Sequence, residues 1–286
     1  MYYTHSSLTQ PNTLYLSEKL MIPLQPKHIA LAPVYLYQGL KLKKTALRLP
    51  EAEGERRGRL TLATNDNALE NSQVNDNASS DKPTLNIMLL GDSSAAGVGV
   101  SSQQQALAGQ LIEQLQLLPQ IQQKFSQLEW SLHATSGHTS FDALRRLYVL
   151  PTPSTPVDIM IVMIGVNDTT SNVSTTKWQQ QLREIISLSK RKFGAKQVIF
   201  PCLPPMQNMP AIPSPLNKLM GQKTQIMNEK LIQVCEQYEK VLALQIQVED
   251  SELKNQNFFA EDGFHPNSNA YLLLAKNLAN TISELV

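Results

Sequence analysis

Two cysteines among 286 residues cannot build a disulfide framework. Both, Cys202 and Cys235, stand in apolar, element-like sequence, where buried free thiols are expected. Neither sign of charge is in excess: 25 Lys and Arg against 24 Asp and Glu leave a formal net charge of +1. Such a balance carries no electrostatic footprint for nucleic acid or for an acidic partner. No run approaches the ~20 apolar residues that a membrane-spanning helix needs; the apolar piece at 29–37 is short and contains Pro33. The first ten residues are polar, with no basic region leading into an apolar one, so no secretory leader is read and a cytoplasmic location is expected. No aromatic cluster suggests a carbohydrate platform, since Trp130 and Trp178 both fall inside predicted elements. With 42% hydrophobic residues, the chain can bury one full core and have residues to spare.

Asn, Asp and Ser dominate residues 64–84, which can bury little and read as a flexible linker. This divides the chain into an N-terminal arm (1–63), the linker (64–84) and a compact unit (85–286). The arm holds one predicted amphipathic helix over 34–49, mixing Leu36, Leu40 and Leu47 with Lys41, Lys43, Lys44 and Arg48, with Pro33 in its first turn. Such a helix is able to touch anionic lipid. The plainer alternative, an arm packed on the compact unit with its lysines in water, is preferred, so membrane contact is allowed but not expected. Oligomeric state is left open.

From Leu85 onward, apolar runs alternate with helical periods. Strands are predicted at 85–90, 128–134, 157–164, 197–203 and 241–248, and helices at 104–118, 141–149, 178–193, 217–238 and 270–285. The alternation predicts a parallel sheet of five strands covered by helices on both faces. In such sheets ligands gather beyond the carboxyl ends of the strands.

Four polar segments follow these elements. Gly91-Asp92-Ser93 comes directly after the first strand, Gly137 lies in SGHTS after the second, and Gly165-Val166-Asn167-Asp168 follows the third. Asp262-Gly263-Phe264-His265-Pro266 precedes the last helix. Ser93 sits at a helix start, among small residues that let backbone approach a bound acyl group, where negative charge is favoured. On its own Asp92-Ser93 is equally a helix cap. GDSSAAGVGVS matches neither a P-loop nor GxGxxG. Gly137 alone is equally a turn glycine, and Asn167 alone a cap. His265 differs from the other four histidines because Asp262 stands three residues before it across a turn, able to fold back on the ring. His133 and His138 are the rival bases, and no carboxylate stands three residues before His138.

This ordered set resembles the SGNH branch of the GDSL esterases and lipases. The resemblance spans about residues 85–286 and implies the SGNH hydrolase fold, a flavodoxin-like three-layer α/β/α sandwich. It assigns Ser93 as nucleophile and, with Gly137 and Asn167, as an oxyanion donor, and it makes His265 the base oriented by Asp262. Asp92 and Asp168 are expected to support their loops through backbone N–H groups, not to react. Ser94 replaces the usual Leu of Gly-Asp-Ser-Leu. In the arm, Gln38-Gly39 and Leu49-Pro50-Glu51-Ala52 look like the leader of some bacterial members.

The expected activity is hydrolysis of short- to medium-chain carboxylic esters through an acyl-enzyme on Ser93, without metal or cofactor, on a small-molecule ester. The Pro-rich loop 201–215 is a candidate pocket wall through Met206 and Met209, with His138 a further lining candidate. The alternatives are a carbohydrate or lipid deacetylase or a thioesterase with the same residues, and, from another class, a flavodoxin-like nucleotide- or flavin-binding module.

Overall fold

The computed structural model describes residues 26–62, 82–246 and 258–286. The expected linker therefore lies outside the described residues as far as residue 81. Helix α1 spans Pro26–Thr45 and strand β1 Arg57–Thr61. There follow β2 (Thr84–Gly91), α2 (Ser93–Ala96), α3 (Leu107–Gln116), α4 (Pro119–Lys124), β3 (Gln127–Ala134), α5 (Ser140–Val149), β4 (Ile159–Met163) and α6 (Val166–Thr170). The chain continues through α7 (Thr175–Phe193), β5 (Gln197–Pro201), α8 (Leu216–Cys235), β6 (Val241–Leu244) and α9 (Ser268–Leu285).

The sheet runs β1-β3-β2-β4-β5-β6, with every pair parallel except β1 against β3. The alternation of apolar runs and helical periods thus delivers the expected parallel sheet, but with six strands instead of five. The added strand is β1, RGRLT, too polar and short for a period-2 signal. It belongs to the sheet, although the sequence reading put residues 57–61 in the arm. Two contacts recruit it to the edge. Arg59 pairs with Glu129 across the strands at 2.6 Å, and Gly58 lies against the Trp130 ring, which a Cβ would approach to 2.4 Å.

Central strand β4 explains the three layers. All five of its residues are buried. Met160 and Val162 face a core made with α5, α7 and α8, while Ile159, Ile161 and Met163 face a second core made with α3 and α9. A period-2 strand buried on both faces reads as a continuous apolar run, as this one does.

Two helices differ from the sequence reading by more than a few residues or by an added neighbour. The period over 104–118 narrows to α3, and a separate short helix α4 follows it, which Pro119 starts instead of merely stopping its predecessor. Helix α1 begins at Pro26, eight residues before the predicted start, so Pro33 is interior and not in the first turn. Cys202 and Cys235 are free thiols, as expected, and burial pushes Cys235 up to about 12.

Candidate active site

Strand order places the motifs together. β2 is flanked by β3 and β4, all parallel, so Gly91, Ala134 and Met163 share one register end. Chain leaving β3 must cross β2 to enter β4, and this reversal opens the crevice where ligands bind. Ser93, Gly137 and Asn167 follow these three strand ends.

Asp92 caps α2, its carboxylate accepting from the Ser94 N–H at 3.0 Å. Ser93 is thereby the first residue of the helix, and its N–H has no acceptor among the described residues. The Gly137 N–H likewise has none. Gly137 has φ +82°, with open space where a Cβ would stand, so backbone conformation and not crowding calls for glycine there. Asn167, in the first turn of α6, donates through Nδ2 to the His138 carbonyl at 3.0 Å and, at 3.4 Å, to Asp92 Oδ2.

The far end of the chain meets this edge through close packing. Gly99, at φ +105°, lies so near the Pro266 carbonyl that a Cβ would come within 2.1 Å of it. The buried Tyr271 hydroxyl on α9 donates to Val98 O at 2.8 Å. These contacts bring the 262–266 turn onto the start of α2. Asp262 Oδ1 accepts from the N–H groups of Phe264 and His265 at 2.9 and 3.0 Å, so the carboxylate folds back as the Asp-x-x-His spacing suggests. Its Oδ2 lies 2.6 Å from His265 Nδ1, and His265 Nε2 lies 3.0 Å from Ser93 Oγ. Burial works to raise the Asp262 pKa, but the His265 ring and the two backbone N–H groups outweigh it and hold the group below the ordinary carboxylate value.

Two buried carboxylates brace the edge. Asp168 is fully buried and accepts from the Ser140 backbone N–H at 2.9 Å and from the Ser140 hydroxyl, tying α6 to the first residue of α5. Burial raises its pKa despite these bonds. Asp92 is pushed up to about 7, by burial first and by the Asp168 charge, against the Ser94 N–H.

A third brace is Glu51, which the sequence offers only within the leader-like Leu49-Pro50-Glu51-Ala52. Glu51 Oε1 accepts from the Ser136 N–H at 2.6 Å, and Oε2 pairs with Arg56, whose guanidinium also donates to Ala134 O. Burial acts to raise the Glu51 pKa, but the Ser136 N–H and Arg56 hold it low. The arm thus grips the residue before Gly137. The only signal in the sequence was an acid beside Pro50 with arginines five and six residues on, too common a pattern to single out.

A groove of about 1010 Å³ opens over Ser93, Gly137, Asn167, Asp262 and His265. Met206, Ile212, Leu216, Leu219 and Met220 line it, and α1 closes another side through Tyr35, Leu36, Leu40 and Leu42. Of the three pocket candidates read from sequence, only Met206 lines this groove. Met209 is buried beside Met206, Ile212 and Leu216 in a small cluster behind the wall. His138 contributes its carbonyl to Asn167, and its ring is not among the lining side chains. That ring has charged neighbours in Arg146, Asp142 and Glu51; burial, and then Arg146, lower its pKa, and its Nδ1 has no partner among the described residues. His133 is a residue of β3 and makes no such relay with a carboxylate. Among the described residues no group of His, Cys, Asp and Glu is arranged to hold a metal.

A three-layer α/β/α frame with serine, histidine and carboxylate in sequence at its carboxyl edge is the arrangement of a serine-type hydrolase. The family profile of the GDSL-like lipases and acylhydrolases matches residues 89–273, and the chain belongs to that family. It is accordingly a carboxylic ester hydrolase, which displaces the binding-module alternative. No curated protein matches the chain. Solved structures are similar in fold. A member of the lipolytic protein G-D-S-L family from Veillonella parvula is 17% identical, with 69% of this chain and 98% of that one covered and a TM-score of 0.51. The psychrotrophic esterase EstA from a Pseudoalteromonas species is 20% identical, with 70% and 98% covered and a TM-score of 0.52. A carbohydrate esterase family 2 enzyme with its carbohydrate-binding domain, from Corynascus thermopiles, is 13% identical, with 72% and 68% covered and a TM-score of 0.54.

Proposed function

We propose that the protein cleaves carboxylic esters of short to medium acyl chain through an acyl-enzyme on Ser93, with Asp262 and His265 as its acid–base pair. The observation that supports this most is the continuous contact from Asp262 Oδ2 through both His265 nitrogens to Ser93 Oγ, at 2.6 and 3.0 Å. In this reading His265 Nε2 takes the Ser93 proton as Oγ attacks the ester carbonyl. Asp262, already accepting from two backbone N–H groups, fixes the ring and balances the imidazolium. The oxyanion collects the N–H groups of Ser93 and Gly137, which have no other acceptor among the described residues, and the Asn167 amide proton on the long 3.4 Å contact to Asp92. Collapse expels the alcohol with the proton from His265. Water then adds to the acyl carbon, giving its proton to His265, and release of the carboxylic acid returns the hydrogen to Ser93.

The acyl group lies along the apolar side of the groove, over Met206 and Ile212. Met206, Ile212, Leu216 and Leu219 in the groove lining favour a medium chain over acetate, the upper part of the range expected from the loop 201–215. Hydrolysis of a p-nitrophenyl acyl series tests the proposal, with matched thioesters to separate leaving groups. Ser93→Ala should lose at least ~10⁴-fold in kcat while remaining folded. Equal turnover by Ser93→Ala and wild type would refute the nucleophile, and a profile falling steadily from acetate would refute the preference for a medium chain.

A further inference from the structure

Twelve large hydrophobic side chains are exposed on the described surface, and six of them, Ile29, Val34, Leu36, Tyr37, Leu40 and Leu47, fall within 19 consecutive residues. Exposed patches of this density on a water-soluble surface mark a partner. The same stretch, residues 26–50, carries five cations, Lys27, Lys41, Lys43, Lys44 and Arg48, and no Asp or Glu, in a chain whose charges otherwise nearly cancel. The two properties are ordered along the helix: residues 29–40 hold no charged side chain, and the cations gather at the carboxyl end.

The contacts that anchor α1 to described residues gather on one side. Gln38 Nε2 donates to Ser214 O at 2.7 Å and its Oε1 accepts from the Leu216 N–H at 3.2 Å, while Tyr35 and Leu42 pack with the Met206 cluster. The preferred sequence reading, an arm packed on the catalytic unit, describes this inner side. The other side, with Ile29 and Leu36, Tyr37 and Leu40 each at least 60% exposed, is open among the described residues.

We propose that α1 and the cations following it form a docking surface for an anionic lipid bilayer, held at the mouth of the catalytic groove. Apolar side chains of such a helix sink into the boundary between headgroups and acyl chains, and the lysines meet anionic headgroups. No described helix is long and apolar enough to cross a membrane, so α1 lies in the surface and does not span it. A second copy of the chain is a poor occupant, because a two-fold contact would set these cations against one another with no carboxylate between them. Leu36, Leu40, Lys43 and Arg48 also line the groove that ends at Ser93. Docking therefore turns the groove toward esters dissolved in the bilayer. The docking stands on the surface itself; only this delivery role rests on the ester-hydrolase reading.

Co-sedimentation of the full chain with sucrose-loaded vesicles tests it, using phosphatidylcholine alone and phosphatidylcholine mixed with phosphatidylglycerol. Wild type should pellet with the mixed vesicles, not with the neutral ones, and raised salt should release it. The double variant Lys41→Gln/Lys44→Gln should bind roughly 25-fold more weakly, about fivefold for each cation lost. Ile29→Glu/Tyr37→Glu should not pellet at all. None of these four residues lines the groove, so both variants should hydrolyse a soluble ester at the wild-type rate. Ser93→Ala should pellet like wild type, which keeps a failure of the chemistry distinct from a failure of docking. The proposal is overturned if wild type stays in solution, if it binds neutral vesicles as well as anionic ones, or if the double variants bind undiminished. It is equally overturned if light scattering shows a dimer that Ile29→Glu/Tyr37→Glu dissolves.

Discussion

Helix α1, with 20 residues, and helix α9, with 18, use their apolar side chains in opposite ways. α9 sets Tyr271, Ala275, Leu278, Ala279 and Ile282 on one stripe and buries all five in the core shared with α3. That spacing follows the helical period, so one face takes nearly all the apolar surface. α1 spreads its apolar residues around and along its axis, and His28 is its one buried residue among those described. The contrast separates two tasks. α9 packs into the core beneath the sheet and, through Tyr271 and Val98, steadies the turn that follows Ser93. α1 adds little to the core and keeps its outer surface for contacts outside the molecule.

The sharpest way to break this contrast is truncation. Leu278→Ala should cost about 2–5 kcal/mol in a denaturant titration, through lost transfer energy and a cavity. A loss below 1 kcal/mol would mean that α9 is not the structural helix. The next effect concerns the buried acid beneath the site. Asp92 keeps its proton to about 7 in the folded protein but loses it near 3.8 when unfolded. Between those values the unfolded chain has given up a proton that the native state still holds. Native stability should therefore fall as pH rises through that window, by at most ~1.4 kcal/mol per pH unit, and level off above it. Asp92→Asn should flatten the decline; unchanged slopes in the variant would show that Asp92 is ionised throughout.

A smaller effect tests whether the arm serves catalysis apart from stability. Glu51→Ala frees Ser136 and should lower kcat about tenfold, ~1.4 kcal/mol, through a looser Gly137 loop, if that loop serves as proposed. Glu51→Gln, which keeps an acceptor for Ser136, should recover most of the rate. Should both variants run at the wild-type rate, the Gly137 loop is held without Glu51. The smallest effect completes the comparison: Ile29→Ala on α1 should move stability by less than ~0.5 kcal/mol. A core-like loss there would show that α1 is packed as α9 is.

Most of the layered fold was legible because parallel strands buried on both faces, such as 159–163, leave unbroken apolar runs, and helices between them leave a 3.6-residue period. β1 left no such trace. A polar edge strand is held by its neighbours, by Trp130 over Gly58 and by Glu129 opposite Arg59, so its own residues carry little of the signal. The relay at the site was legible for a local reason: Asp262 and His265 share one turn, and their pairing needs only a three-residue fold-back. The groove was not. Met206 and Met209 look alike in a Pro-rich loop and share one buried cluster, and only the folded loop decides that Met206 lines the groove and Met209 does not.

The amino-acid order by itself determined the parallel layers, the residues able to react and the turn that pairs an acid with a base, because each depends on neighbours within a few positions. Tertiary structure alone decided the rest. It brought Asp262 and His265 across more than 160 residues to Ser93, through the close approach of Gly99 to Pro266 and the bond from Tyr271 to Val98. It also turned part of an arm into an edge strand, gave Glu51 its hold on the residue before Gly137, and left one side of α1 uncovered by described residues beside the groove. Those outcomes rest on contacts between distant segments, and such contacts are fixed only when the whole core closes.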